Sequence, residues 1–473
     1  MDAVVVGAGP NGLAAAITLA RAGRSVRVLE RADEIGGGAR SAEHTLPGFV
    51  HDTCSAVYPF GRMSPFLVEA SLERHGLRWV EPPAAIAHPL DGGRVVIVTR
   101  DVDATATTLG RDRDAYRRLF APLARSFGEL IPDILAPFHV PLHLRRSIRL
   151  AWFGMHALQP ATSLARRFRD DAARAVLAGA AAHSVLRLSE PISGAAALVM
   201  LGSAHHDGWP FPEGGAGRIA AALGAELRAL GGTVETGHDV GALEDLPASR
   251  LALFDTSPRA LDRVAGSRLP AGYRAKLRGF RYGPSVFKLD IAIEGAIPWQ
   301  HPDVGLAGTV HLGGTFEEIA RSETDAVAGR VSPRPFVLLA QQSLFDRTRA
   351  PEGRNAVWAY CHVPHGSTVD MTEAIMGQVE RFAPGFRERV LKIARTSPHD
   401  LEAYNPNNVG GDMGGGRLDL RQLFTRPAAR LDPYSTPDPR LFLCSSSTPP
   451  GGGVHGMPGW HAAHSALRRL SSS

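Results

Sequence analysis

The sequence is poor in lysine and in cysteine. Three lysines (Lys276, Lys288, Lys392) stand among 52 basic residues, so arginine carries nearly all the positive charge. The arginines run from Arg21 to Arg469 with acids between them, and the net charge is +5. A nucleic-acid binder gathers its basic residues, often with aromatics interleaved. This diffuse spread argues against nucleic acid as a partner. The three cysteines, Cys54, Cys361 and Cys444, lie far apart and form no CxxC. That excludes a thioredoxin-type redox pair and a cysteine zinc site, and it fits a reducing compartment. No apolar run reaches about 18 residues, which excludes a membrane-spanning helix. A strand that begins at residue 2 or 3 leaves no room for a signal peptide, so a cytoplasmic protein is expected. GxSxG, P-loop and HExxH patterns are all missing, which sets aside serine hydrolases, P-loop NTPases and zincins. His51-Asp52, His205-His206-Asp207 and His362/His365 lack carboxylate partners at helical spacing, so no metal site is expected.

Glycine is in excess, with 51 in 473 residues. There is no G-X-Y period, so the glycines mark turns and close approaches rather than collagen. Asp2–Val6 reads as a buried strand, Leu13–Ala22 as an Ala-rich helix and Ser25–Glu30 as a second strand, a βαβ opening. Further strands are expected at Arg94–Thr99, Thr233–Thr236, Leu251–Phe254, Phe336–Ala340, Ala356–Val363 and Leu441–Cys444. Helices are expected at Asp112–Phe127, Asp171–His183, Gly217–Leu230, Thr372–Phe382, Gly385–Ala394 and His455–Leu470. Ser285–Ile293 alternates as a half-exposed antiparallel strand, with Lys288 and Asp290 on its polar face. Leu130–Ala157 reads as short buried helices broken by Pro132, Pro137 and Pro141. Its Arg145, Arg146 and Arg149 leave open a lid or a surface that touches membrane.

Gly7-Ala-Gly9-Pro10-Asn11-Gly12 is GxGxxG. It follows a strand, opens a helix and lies 18 residues before Glu30, the acid that ends the second strand. That context is the test for a dinucleotide site. The glycines permit the turn and the approach to a pyrophosphate, the helix N-terminus favours the phosphates, and Glu30 can accept from ribose hydroxyls. A second GxGxx[GA], Gly215-Ala-Gly217-Arg-Ile-Ala220, follows Trp209-Pro-Phe-Pro, which cannot be a central strand. It reads as a turn, so no second dinucleotide domain is expected.

The segment Arg31-Ala-Asp-Glu-Ile-Gly36-Gly37-Gly38-Ala39-Arg40-Ser41 fits R-x4-G-G-x3-S. It resembles the signature of flavoproteins that include amine oxidases and phytoene desaturases. Small residues there let backbone N–H groups reach phosphate, and Arg40 adds a fixed charge. Near the end, Cys444-Ser-Ser-Ser-Thr448-Pro-Pro-Gly451-Gly452-Gly453-Val454-His455-Gly456-Met457 is a strand, a glycine loop and a helix start. Such a helix end can stabilise negative charge on a reduced flavin. With Asn405-Pro-Asn-Asn408-Val-Gly410-Gly411-Asp412, the chain resembles the phytoene-desaturase-related FAD-dependent oxidoreductases, in the branch with pyridine-nucleotide-disulfide-oxidoreductase-domain-like proteins. Ser445 stands where that family favours glycine, and Pro449 where histidine is frequent.

The resemblance implies an α/β fold: a Rossmann-like FAD-binding domain of the GR2 type with an inserted α+β substrate domain. The FAD domain would be assembled from residues 1–75, 215–270 and 425–473, and the substrate domain from 76–214 and 271–424. FAD would be noncovalent. Its implied contacts are Gly7, Gly9, Pro10, Asn11, Gly12, Glu30, Arg31, Gly37, Gly38, Ala39, Arg40, Ser41, Val240, Thr256, Ser446, Gly453, Val454, His455 and Met457. His455 is the one candidate for a catalytic side chain, weighed evenly against a capping or packing role. The implied reaction moves hydride from a C–H bond of a small apolar molecule, isoprenoid- or polyketide-like, to the flavin, with oxygen or a quinone as later acceptor. Amine or amino-acid oxidation, redox-neutral isomerisation and a non-catalytic flavin-bearing interaction protein remain open alternatives, as does peripheral membrane contact.

Overall fold

The computed structural model describes residues 1–139 and 144–471. Pro141 and the side chain of Arg145 lie outside what is described. The chain opens with β1 (Ala3–Val6), α1 (Pro10–Arg21) and β2 (Val26–Leu29). The hairpin β3 (Ala84–Leu90) and β4 (Arg94–Val98) leads to a helical stretch whose longer members are α2 (Arg113–Ile134), α3 (Leu144–Ala157), α4 (Asp171–Ala182) and α5 (Ser193–Asp207). Next come α6 (Gly217–Ala229), β5 (Thr233–Glu235) and β6 (Leu251–Phe254). Then follow β7 (Ser285–Glu294), β8 (Ala307–Leu312), β9 (Val337–Ala340), β10 (Arg354–Val363), α7 (Thr372–Phe382) and β11 (Val390–Thr396). The chain closes with β12 (Leu441–Leu443) and α8 (Met457–Ser471).

Two sheets carry this α/β architecture. The first is wholly parallel, in the order β12-β6-β1-β2-β5. Its central strands, AVVV and LALF, are buried along their whole length, which is what a parallel sheet covered on both faces demands. α1 packs on this sheet and against α6 and α8. The strands come from three separated stretches, residues 3–29, 233–254 and 441–443. Because they run parallel, their carboxyl ends share one edge, where a doubly wound sheet binds ligands.

The second sheet has seven strands in the order β11-β7-β10-β9-β8-β3-β4, antiparallel except between β3 and β8. Its faces differ. One carries Phe287, Leu289, Ile291, Leu339 and Val357, packed with Ile375, Val379 and Phe382 of α7 in a separate core. On the other, the register sets Thr309, Ala340, Trp358 and Asp290 in one row, and His311, Leu338, Tyr360 and Lys288 in the next.

Sequence and structure part company at three places. β7 is buried on both faces, with Lys288 and Asp290 fully buried rather than half-exposed. Its polar face meets the first domain, not water. Gly385–Ala394 is not helical: a short turn leads into β11, whose Val390, Ile393 and Thr396 suit an edge pairing with β7. α2 runs through Pro122 and Pro132 to Ile134, because Phe120, Leu123, Phe127, Leu130 and Ile131 are all buried along it. The tertiary burial of that stripe outweighs the proline penalty. Beyond it, Phe138, Ile148 and Met155 are exposed. Among the described residues, no helix is long and apolar enough to cross a membrane.

The two domains meet through buried charge. Arg349 Nη1 donates to Asp52 Oδ2 at 2.8 Å, its Nε to Asp346 at 3.0 Å and its Nη2 to the Pro212 carbonyl at 3.0 Å. Asp52 Oδ1 also accepts from Ser41 Oγ and from Ala216 N, both at 2.7 Å. Beside it, Lys288 Nζ donates to Asp290 at 2.6 Å and to the Asp52 carbonyl at 3.0 Å. A buried ion that loses its partner costs about 3–5 kcal/mol. Arg349→Met should therefore lower the stability read by urea denaturation by about that amount. A loss below about 1 kcal/mol, the ordinary range of an exposed pair, would show that the cluster is not structural.

Candidate functional site

The first sheet's carboxyl edge opens into a cleft of about 450 Å³ that runs on beneath the second sheet. At its first end α1 begins at Pro10, with Gly9 as its N-cap and no side-chain cap. The first-turn N–H of Gly12 donates to Asp255 Oδ2 at 2.8 Å. Asp255 follows β6 directly and is pushed up to about 7 by burial, against the pull of that N–H. A Cβ on Gly9 would stand 2.8 Å from Asp255 Oδ2, so this position has no room for a side chain. Glu30 is fixed by two backbone donors, Ala8 N at 2.7 Å and Ala32 N at 2.9 Å.

Two further segments close on this end. Tyr404 Oη donates to the Gly37 carbonyl at 2.8 Å and stacks its ring 5.5 Å from the Arg40 guanidinium. Asn407 donates to the Asp255 carbonyl and accepts from Ser257 N. The Asn405–Asn408 run thus latches onto the end of β6. The C-terminal glycine loop is held from behind. Arg426, fully buried, donates to the carbonyls of Gly415, Ser446 and Ser447. Asp412 accepts from Gly283, Gly414 and Gly416 N–H groups. A Cβ on Gly452 would lie 2.6 Å from the Gly414 carbonyl oxygen, so the two loops touch through bare backbone.

The other end of the cleft is a chamber lined by Tyr58, Phe60, His183, Met200, Trp209, Thr309, Leu338, Trp358 and Tyr360. The acids lining the cleft, Glu30, Asp239 and Asp255, belong to the first sheet's loops, as do Arg31 and Arg40, while Arg263 lies on the short helix Pro258–Ala265. The chamber's ionisable ring, His183, is driven down to about 3 by burial, with His362 adding to the effect, so it is neutral.

Of the residues singled out by sequence, Gly7, Gly9, Pro10, Asn11, Glu30, Arg31, Gly37, Gly38, Arg40, Val240, Thr256, Ser446, Gly453 and Val454 line this one cleft. Gly12, Ala39, Ser41, His455 and Met457 do not. Gly12 lies beneath it on α1. Ser41 Oγ instead bonds Asp52 and the Gly217 N–H at the start of α6. His455 accepts the Met457 N–H at 3.2 Å through Nδ1 and so caps α8, which begins at Met457 rather than at His455. Burial drives His455 down to about 4. Asp255 and Tyr404 were missed, although an acid directly after LALF and a tyrosine directly before the Asn405–Asn408 run were visible signals. The chamber residues had none, being scattered over some 300 positions.

The residues fit a dinucleotide. Asn11 Oδ1 and Thr256 Oγ1 are buried without a partner beside the glycine turn, the start of α1, with its Gly12 N–H given to Asp255, borders the cleft, and an anchored carboxylate, Glu30, stands one strand away. A model of the NAD(P)-binding Rossmann-like domain matches residues 5–68. Over its whole length the chain is 25% identical to rat (Rattus norvegicus) pyridine nucleotide-disulfide oxidoreductase domain-containing protein 2, covering 94% of that protein. It is 25% identical to the lycopene-forming phytoene desaturase of Pseudescherichia vulneris, over 96% of each chain. Along nearly its whole length the chain is similar to phytoene-desaturase-type oxidoreductases. Its fold also matches putrescine oxidase bound to putrescine, with a TM-score of 0.63 at 17% identity over 99% of each chain. The disulfide in the rat relative's name has no counterpart among the cysteines here. Cys54, Cys361 and Cys444 are free and buried, and burial pushes all three thiols up, Cys54 to about 11.

The histidines are structural. His205 bonds Tyr116 Oη and the Thr99 carbonyl, and His362 bonds Glu323. Among the described residues, no group of side chains could hold a metal ion. Burial drives His51 and His183 to about 3, and His88, His205, His455 and His461 to about 4. Each is charged near 6.5 in the unfolded chain, which then binds more protons than the folded one. Stability from these rings is complete above pH ~6.5 and lost as pH falls toward ~4, while the raised Asp255 acts in the opposite sense. Thermal melting should therefore show Tm falling across that window; a flat or rising Tm on acidification would show that these rings are not held neutral.

Proposed function

We propose that this protein is an FAD-dependent oxidoreductase that dehydrogenates a small apolar molecule. The observation that supports it is the single continuous cleft: its first end is built for a dinucleotide, and its second is a neutral, largely aromatic chamber. Glu30, held by two N–H groups, would accept from the adenosine ribose. The α1 N-terminus and the Gly37–Gly38 backbone would face the pyrophosphate. The loop Ser445–Val454, pressed against Gly414, would lie along the isoalloxazine. FAD, when bound there, supplies a ring that accepts hydride from a C–H bond.

The chain's own contribution is placement and exclusion of water. Tyr58, Trp209, Trp358 and Tyr360 would press a flat or extended apolar skeleton against the ring, trading translational freedom for orientation. Among the described residues, no carboxylate lines the chamber to hold an ammonium. His455 spends its Nδ1 lone pair on the start of α8 and does not line the cleft, which argues against a proton-transfer role. The reaction would then rest on position rather than on an acid–base pair.

The protein should purify with visible flavin absorbance that is released on denaturation. Gly9→Val and Glu30→Ala should each purify without it, the first by steric conflict with Asp255 and the second by losing the ribose acceptor. Anaerobic addition of a suitable apolar substrate should bleach the wild-type flavin. A colourless wild type that takes up no added FAD would overturn the cofactor assignment. Full FAD content in Gly9→Val would show the turn to be misread.

A further inference from the structure

The chamber is not uniformly apolar. Its floor is the polar-facing side of the second sheet, and two hydrogen-bonding groups there have no partner: Trp358 Nε1 and Thr309 Oγ1. Both residues line the cleft, and they are deeply buried, Trp358 at 5% and Thr309 at 0% exposure. The register puts them in one row, on either side of Ala340. Ala340 between them brings only a methyl to that row. In the adjoining row His311 bonds His183 through their Nε2 atoms at 3.1 Å, and its Nδ1 also lacks a partner.

The chemistry of these groups restricts what can satisfy them. An indole N–H donates and cannot accept. A hydrocarbon would leave it buried and unmade, and an ammonium would set donor against donor. Among the described residues, no carboxylate lines the chamber to offset such a charge. A carbonyl or ether-type oxygen has two lone pairs and no proton, and the threonine hydroxyl can rotate to donate to it as well.

We infer that the chamber takes a neutral, mainly apolar molecule bearing an oxygen acceptor, with Trp358 donating to that oxygen and Thr309 supplying a second donor. The ring-shaped aromatic lining holds the skeleton, and the two donors set which end of it lies on the sheet. This deepens the oxidoreductase reading and rests on it for the chamber's place beside the flavin. The binding itself needs no turnover.

The test is calorimetric titration of the purified protein at neutral pH with three compounds of one skeleton: 1-tetralone, tetralin and 1-aminotetralin. The ketone should bind at least about tenfold more tightly than the hydrocarbon or the amine, because a site built to bond an oxygen rejects analogues without it. Thr309→Val, which keeps shape and strand preference, and Trp358→Phe should each weaken ketone binding by about five- to tenfold more than they weaken tetralin binding. Thr309→Ser should keep the preference. Equal affinity for ketone and hydrocarbon, tighter binding of the amine, or no binding by any of the three would overturn the inference. Visible flavin content is recorded on the same samples. A colourless protein that still prefers the ketone keeps this inference and overturns only the cofactor assignment.

Discussion

The Arg349 guanidinium is surrounded by carboxylates and carbonyls from both halves of the molecule. Asp346 lies beside it in the second domain, while Asp52 and the Pro212 carbonyl come from segments that border the first sheet. Asp52 in turn holds Ser41 and the start of α6. None of these charges has access to water, so each depends on the others, and the desolvation already spent makes any other arrangement costly. Lys288 and Asp290 extend the same logic onto β7. The relative placement of the two sheets, and hence the cleft between them, rests on this cluster together with a hydrophobic core that includes strands of both sheets.

With the domains fixed, the cleft divides its chemistry cleanly. Charge and open backbone lie at the carboxyl edge of the parallel sheet. Rings and neutral donors lie beneath the mixed sheet. The glycines serve the first end, where backbone must touch backbone, as at Gly7 against Asp255 and Gly452 against Gly414. The aromatic residues serve the second. The loops between are held by groups outside the cleft, notably Arg426 and Asp412, so the surfaces facing a ligand remain free to bind it.

The histidines and cysteines illustrate how burial changes the meaning of a residue type. In a list of residues, His455 at a helix start beside a glycine loop reads as chemistry. In the fold it caps a helix in a desolvated site and stays neutral. The same desolvation keeps the three thiols protonated and unreactive. The polar atoms that lack partners, those of Asn11, Thr256, Thr309 and Trp358, are the more informative ones, because a buried group without a bond is a place where something else is expected to bind.

The dinucleotide end was legible in the sequence because its signals are local. A strand, GxGxxG, a helix and an acid at fixed spacing have one geometry, and the apolar runs AVVV and LALF can only be buried strands. Local patterns also located β10, α4 and α7 to within a residue or two at their ends. What depended on distant partners was not legible. Lys288 and Asp290 read as a solvent face because alternation says which residues share a side, not what covers it. Gly385–Ala394 read as a helix because an edge pairing with β7 leaves no trace in composition. The chamber lies still further from the linear pattern: Tyr58, His183, Trp209, Thr309 and Trp358 come together only when the mixed sheet folds over the parallel one. The sequence by itself determined a βαβ nucleotide turn and its acid, since those contacts lie within thirty residues of one another. Only the tertiary structure decided the substrate chamber and the buried ion cluster, since each is made of groups that share nothing until the two sheets meet.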